Sequence, residues 1–301
     1  MKKAVSVSLG SSKRDKSVEV ELLGVPVVIE RRGTDGDMEK AAQLFKELDG
    51  TVDAFGVGGA DLGIMVDNRW YPLHSVAPMV RYVQKTPIVD GTGLKNTLEY
   101  QVGPFLETRL GPFLDQVGRR AMFTAGADRW GLSSTFVDLG YEYLFADLMF
   151  GVNVPIPLRS VGLVKAVVPF IMPIVGRFPF DWLYPTGAKQ EQRDPKWEQY
   201  YQWATVIAGD RHYIVRHMPD SLSGKIVVTN TTTTEDVEIF RAAGIKYLVT
   251  TTPVLGGRSF GTNMMEAALV AAADKGRKLT QDELADILET LQIEPQIQEL
   301  N

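Results

Sequence analysis

A turn that could hold a nucleotide follows the apolar run at 121–124. It contains Gly126 and Gly131, and a helical pattern and a second apolar run then lead to Asp147. In dinucleotide-binding folds such a turn lets backbone N–H groups approach a diphosphate, and the later carboxylate accepts hydrogen bonds from ribose hydroxyls. The sequence predicts that these residues bind NAD or NADP, with the carboxylate favouring NAD. Asp128 stands where the fingerprint has a glycine.

Polar residues also follow the later apolar runs of the chain. Because the carboxyl ends of parallel strands share one edge of a doubly wound sheet, these loops should face one cleft. A threonine there could instead cap a helix or pack in a strand. The further residues assigned to the nucleotide are Arg129, Asp210, Asn230 and Thr231.

A lysine and an aspartate lie close together after the short strand predicted at 86–89. Asp90 and Lys95 occupy a polar turn at the end of that strand, where ligands of open α/β sheets bind. A lysine beside a carboxylate can exchange a proton with a hydroxyl, so the two residues are the candidate catalytic pair. The alternative is a capped turn with a surface lysine.

Basic and hydroxyl residues in two loops are candidates for binding a substrate. The loop at 10–16 carries three cations, and Arg258 lies in a glycine-rich loop, where it could clamp a carboxylate or phosphate. A salt bridge within its own loop is the alternative for this arginine. The substrate candidates are Ser11, Ser12, Lys13, Arg14 and Arg258.

Composition narrows the class of protein. The 301 residues are 45% hydrophobic and 23% charged, as in a globular protein, and the net charge of −5 argues against nucleic-acid binding. The absence of cysteine excludes disulfides and thiolate zinc sites, and no metal site is expected. The N-terminal apolar run is too short for a secretory signal, so the expected location is the cytoplasm.

The alternation of strand and helix patterns predicts an α/β protein of two lobes with a cleft between them. An α/β substrate lobe spans 1–100, and a Rossmann-like doubly wound lobe with a parallel sheet spans 118–275. A C-terminal helix and tail follow at 276–301.

The second lobe contains an apolar insertion at 151–187. Its uncharged run at 166–176 is too short for a membrane span, which needs about 20 apolar residues, and its prolines break any long helix. It could pack on the sheet or in a homo-oligomer interface, form a lid over an apolar substrate, or contact a membrane surface.

Several motifs resemble a family of bacterial proteins identified as quinate 5-dehydrogenases. They are VSLGSSKRDK, GTDGD, VDGTGLKNTLE, VVTNTTTTEDV and TTTPVLGGRSFGTN, and the similarity spans nearly the whole chain. The resemblance implies the quinate/shikimate dehydrogenase architecture, in which a substrate lobe precedes a nucleotide lobe. It also implies that a lysine and an aspartate share the proton transfer, and Lys95 and Asp90 are the pair available here.

The leading hypothesis is a cytoplasmic NAD(P)-dependent oxidoreductase acting on a small hydroxy or carbonyl compound. A second hypothesis is a transferase or ligase that binds phosphate through the basic and threonine loops. A third is a non-catalytic protein that binds a small molecule or a membrane surface.

Overall fold

The computed structural model describes residues 1–301 except Asn68, 181–192, Pro253, Gly256 and Gly257. At positions 254, 255, 258 and 259 it describes the backbone and not the side chains. The chain is a mixed α/β protein of two lobes, each built on a mainly parallel sheet, and this confirms the predicted fold class.

Five strands form the sheet of the first lobe. They are β1 (Lys2–Ser8), β2 (Lys16–Leu22), β3 (Val25–Gly33), β4 (Ala54–Gly58) and β7 (Ile88–Val89), with a separate hairpin of β5 (Gly63–Val66) and β6 (Arg69–Pro72). Their order is β2-β3-β1-β4-β7, and all run parallel except β2, which forms an antiparallel hairpin with β3. The interior strand β4 is buried along its whole length and therefore consists of apolar and small residues.

Six strands form the sheet of the second lobe. They are β8 (Arg120–Phe123), β9 (Glu142–Phe145), β10 (Val206–Ala208), β11 (Ile226–Thr229), β12 (Tyr247–Thr250) and β15 (Gln296–Glu299), with a hairpin of β13 (Val254–Leu255) and β14 (Arg258–Ser259). Their order is β15-β12-β11-β10-β8-β9, and only β15 runs antiparallel to its neighbour.

Helices pack on the sheets and connect the lobes. They are α1 (Met38–Leu48), α2 (Thr92–Tyr100), α3 (Val102–Val117), α4 (Trp130–Asp138), α5 (Asp147–Val152), α6 (Val161–Val175), α7 (Glu198–Trp203), α8 (Arg211–His217), α9 (Thr234–Ala242), α10 (Thr262–Ala273) and α11 (Gln281–Thr290). Short 3-10 turns lie at Ser12–Arg14 and Ala77–Val80.

The closing helix α10 belongs to the first lobe in space, although the sequence groups it with the second. It is buried nearly all round, and such a helix needs cover on every side. Strands β1, β3 and β4 cover one side, and the apolar residues of α2 and α11 cover the other. The chain therefore returns to the first lobe after β14, and β15 carries it back to the second sheet.

A buried carboxyl lies in this part of the core. Glu266 on α10 is 4% exposed, and its Oε2 accepts a hydrogen bond of 3.2 Å from the backbone N–H of Leu94 in the first turn of α2. Burial raises the pKa of Glu266 to about 7, although the backbone N–H groups of α2 oppose the shift.

We expect Glu266→Gln to change how stability depends on pH. The pKa of Glu266 is raised by folding, so its ionisation opposes folding and stability falls as pH rises through about 7. One pKa unit corresponds to about 1.4 kcal/mol, so the wild type should lose roughly 3 kcal/mol between pH 5 and 8 that Glu266→Gln retains. Urea denaturation at several pH values measures this. Glu289→Gln, at an exposed site on α11, is the control, and equal slopes for all three proteins would contradict the expectation.

Candidate functional site

The strand order marks one position on each sheet where a ligand could bind. In the second sheet the order reverses between β8 and β10, so the loops that follow these strands diverge and leave a crevice. In the first sheet the same reversal lies between β1 and β4. Side chains in these four loops are therefore the first to consider.

The turn after β8 forms as predicted, but its backbone groups are already bonded. The N–H groups of Gly126 and Ala127 donate hydrogen bonds of 3.1 and 2.7 Å to the two carboxylate oxygens of Asp147. Asp147 was predicted to accept from a ribose, and it instead occupies the N–H groups that a diphosphate would need. Burial raises the pKa of Asp147 to about 6, although the hydrogen bonds from the N–H groups of Ala127 and Gly126 lower it.

The two glycines of the turn have packing roles. A Cβ on Gly126 would lie 2.4 Å from the ring of Phe145, and a Cβ on Gly131 would lie 2.2 Å from the backbone oxygen of Asn96. Gly131 thus lets α4 approach the backbone of α2 closely. This contact joins the second lobe to the helix that leaves the first.

Arg129, assigned to the cofactor from the sequence, is paired inside the protein. It is 2% exposed, and its guanidinium forms a short ion pair with Glu99 on α2, which is fully buried. Burial lowers the pKa of Arg129, but Glu99 outweighs this and leaves the pKa raised. The guanidinium is therefore a fixed cation that ties the β8–α4 turn to α2.

Lys95 lies between the two lobes and faces carboxylates of both. Its Nζ is 3.7 Å from Oδ2 of Asp128 in the second lobe, and Asp61 of the first lobe also acts on it. Burial lowers the pKa of Lys95, but Asp128, Asp61 and Glu99 outweigh it and raise the pKa. Lys95 is therefore a stable ammonium group at neutral pH, and Asp128, which departs from the fingerprint, faces this cation.

Asp90, the predicted partner of Lys95, has a different role. Its carboxylate accepts hydrogen bonds from the backbone N–H groups of Leu62 (2.7 Å) and Thr92 (3.0 Å). It holds the loop after β4 against the first turn of α2. The catalytic pair predicted from the sequence therefore does not form, because Lys95 pairs with Asp128.

The other loops of the second sheet meet at its edge, as predicted. Asp210 accepts hydrogen bonds from the Asn230 side chain (3.0 Å) and from the backbone of His212 (2.8 Å), which caps α8. The hydroxyl of Thr231 accepts from that of Thr252 at 2.9 Å. The side chain of Arg258 lies outside the described residues.

The loop after β1 brings two guanidinium groups together. An atom at the Cβ position of Gly10 would lie 2.8 Å from an Nη of Arg14 and 2.9 Å from an Nη of Arg31. Arg31 is well anchored, donating to Asp15 (2.8 Å), Ser8 and the backbone of Ser11. Burial lowers the pKa of Arg31, and the nearby charge of Arg14 lowers it further. Two like charges side by side favour an anion between them.

The remaining predicted residues of this loop are partly used in holding it. The backbone N–H and hydroxyl of Ser12 both donate to Asp35 at 2.8 Å. The hydroxyl of Ser11 accepts from the backbone N–H of Lys13, whose side chain is exposed.

Charged side chains of both lobes lie along the edge where the loops after β4 and β8 meet at Lys95. Gly59, which follows β4, packs against the backbone of Gly10, and Asp61 lies two residues further on and acts on Lys95. Tyr213 lies near three carboxylates of the second lobe, Asp128, Asp210 and Asp147. Burial is the main cause that raises the pKa of Tyr213, and these carboxylates raise it further. The guanidinium pair thus lies on the first lobe, where Asp15 and Asp35 also act on Arg31. The three carboxylates lie on the second lobe, close to the cations Lys95 and Arg129.

Four residues of this edge escaped the sequence analysis: Arg31, Asp61, Glu99 and Tyr213. Glu99 follows Lys95 by four positions, which places both on one helix face, and this signal could have found it. Asp61 follows a glycine-rich strand end. Arg31 and Tyr213 offered no signal, because only folding brings them to the site. Among the described residues, no group of three His, Cys, Asp or Glu side chains is placed to hold a metal ion.

The chain is a two-lobed α/β protein in which charged side chains of both lobes meet around Lys95. The chain belongs to the family described as "Domain of unknown function (DUF8754)", which matches residues 93–300. Residues 3–90 match a second model, "Domain of unknown function (DUF8753)". No curated protein matches the chain.

Solved structures of two kinds are similar to the chain at low identity. An NAD-dependent malic enzyme from Thermotoga maritima is 12% identical with a TM-score of 0.44, covering 96% of this chain and 76% of that chain. GanP, a glucose-galactose binding protein from Geobacillus stearothermophilus, is 11% identical with a TM-score of 0.37, and the match covers 99% of this chain and 97% of that chain. A galactofuranose binding protein is 12% identical with a TM-score of 0.35, covering 97% and 99%.

A pair of glycine substitutions tests the packing role of Gly131. We expect Gly131→Ala to destabilise the protein by about 1–3 kcal/mol, because the new methyl group would overlap the backbone of α2. Gly111→Ala, in helix α3, meets nothing within 4 Å and should stabilise by about 0.5–1 kcal/mol. Thermal denaturation of both variants measures the difference, and a neutral Gly131→Ala would rule out the close contact.

Proposed function

We propose that the protein binds a small hydroxy- or amino-carboxylic acid in the cleft between its lobes. The observation that carries the proposal is the guanidinium pair of Arg14 and Arg31 on the first lobe, together with the carboxylates of Asp128 and Asp210 on the second. A carboxylate suits the guanidinium pair, because two adjacent guanidinium groups offer parallel N–H donors. Hydroxyl or ammonium groups suit the carboxylates, which only accept hydrogen bonds when ionised.

The charged groups differ in how firmly they are held. The guanidinium of Arg31 is held by three acceptors, whereas that of Arg14 is exposed and has no hydrogen-bond or ion-pair partner among the described residues. Arg14 is therefore free to close on a ligand without breaking a contact. Between the lobes, Lys95 is held by Asp61 and Asp128 and can donate to a hydroxyl or carbonyl oxygen of the ligand.

An NAD(P)-dependent oxidoreductase is the second candidate. It is favoured by the strand–turn–helix of β8 and α4, which forms at the reversal of strand order beside Lys95. In that reaction Lys95 would stabilise the substrate oxygen as a cation, because its raised pKa makes it a poor base. A dinucleotide in the turn would require Asp147 to release the N–H groups of Gly126 and Ala127.

The substrate proposal is tested by calorimetric titration of the full chain with quinate, a mixture of amino acids, inorganic phosphate and glucose. We expect a carboxylic acid to bind and the uncharged sugar to bind more weakly. Arg14→Ala should weaken binding of the acid by about tenfold or more, since a charge-assisted hydrogen bond contributes about 1.5–3 kcal/mol. Its stability should not change, because Arg14 anchors nothing.

Arg109→Ala, at an exposed arginine on α3, is the matched control and should bind as the wild type does. Phosphate binding without acid binding would instead favour the transferase or ligase hypothesis. If Arg14→Ala binds the acid as tightly as the wild type does, the guanidinium pair is not part of the site.

The oxidoreductase candidate is tested by tryptophan fluorescence during titration with NADH and NADPH. Trp130 begins α4, beside the turn, and should respond to a bound nucleotide. If the wild type binds, Asp147→Ala should bind both nucleotides more tightly, because two backbone N–H groups become available to the diphosphate. If Asp147→Ala weakens the binding of NADH and not of NADPH, Asp147 binds the ribose as the sequence predicts. If the wild type binds neither nucleotide, the protein is not an NAD(P)-dependent oxidoreductase.

A further inference from the structure

The apolar segment at 151–180 presents an exposed hydrophobic face. Ile156 is 54% exposed, and on α6 the exposed fractions are 51% for Leu163, 78% for Phe170 and 63% for Ile174. Residues 163, 170 and 174 share one side of the helix, because they are spaced by seven and four. A contiguous exposed apolar surface of this kind marks an interaction site.

The opposite side of α6 anchors the helix to the protein. Val164, Val168 and Met172 are spaced by four, are all buried, and belong to the core cluster that reaches both lobes. Prolines at 169 and 173 lie within the helix away from this buried side. The exposed face is therefore held outward by tertiary packing.

The charged side chains within residues 151–180 are all positive. Residues 151–180 contain no Asp or Glu, although the whole chain has a net charge of −5. The cations are Arg159 and Arg177 at the two ends of α6 and Lys165 within it. Lys165 pairs with Asp67 at 2.7 Å, whereas Arg159 and Arg177 are exposed and have no ion-pair partner among the described residues.

This pattern disfavours a second copy of the chain as the partner. A two-fold interface brings the same patch of each copy together, so Arg159 and Arg177, which have no ion-pair partner among the described residues, would meet the same two cations of the other copy. The face does not span a bilayer either, since the described residues include no helix long and apolar enough.

We propose that the apolar face of α6 lies on a membrane surface that contains anionic lipid. Phe170, Ile174 and Leu163 enter the boundary between headgroups and acyl chains, and Arg159 and Arg177 contact lipid phosphates. Amphipathic helices with a basic margin bind anionic bilayers in this way, through buried apolar area and electrostatic attraction together. The inference does not depend on what the cleft binds.

Co-sedimentation of the full chain with vesicles tests the proposal. The vesicles consist of phosphatidylcholine alone or of phosphatidylcholine with phosphatidylglycerol. We expect binding to the anionic vesicles, and a loss of about tenfold or more in affinity for Phe170→Glu. Phe170→Leu should keep most of the affinity, and Arg159→Gln with Arg177→Gln should weaken binding only where phosphatidylglycerol is present.

Leu139→Glu, at an exposed apolar residue outside the face, is the control for added charge. Circular dichroism of each variant checks folding, which should be unchanged because the altered side chains are exposed. No binding to either vesicle, or equal binding to both, would overturn the proposal. The proposal would also be overturned if light scattering showed that the wild type is a dimer and that Phe170→Glu is a monomer.

Discussion

The buried ion pair between Arg129 and Glu99 fixes the geometry of the cleft. Both side chains are almost inaccessible to water, so each charge depends on the other and on the nearby groups Lys95, Asp128 and Asp210 for compensation. Breaking such a pair by removing one partner costs about 3–5 kcal/mol, because a buried charge is left alone. The pair holds the turn after β8 against α2. In doing so it sets Lys95, one turn along the same helix, opposite Asp128.

This arrangement also sets the charges around the turn after β8. The turn that resembles a nucleotide site is filled by its own carboxylate, Asp147, and the cation that resembles a catalytic base is held protonated by its neighbours. The guanidinium pair of Arg14 and Arg31 lies on the first lobe. A ligand with a carboxylate and several hydrogen-bond donors matches these charges better than one with a diphosphate.

The C-terminal part of the chain makes the two lobes one structure. Helix α10 completes the first lobe after the chain has already built most of the second, and β15 then joins the second sheet. A core cluster that includes α3 and buried residues of both sheets continues between the lobes. The exposed face of α6 lies on the outside of this unit, with its other side in the same core.

The sequence by itself determined most of the strands and helices and the edge on which polar loops gather, because these depend on periodicity and on residues a few positions apart. It predicted that the loops carrying Asp210 and Asn230 would share one edge of the sheet, and the two side chains form a hydrogen bond there. Tertiary structure decided which groups pair. Asp147 takes the amides of the turn, Asp90 holds a loop, and Lys95 pairs with Asp128, since each partner lies in a distant segment and competes for the same donors.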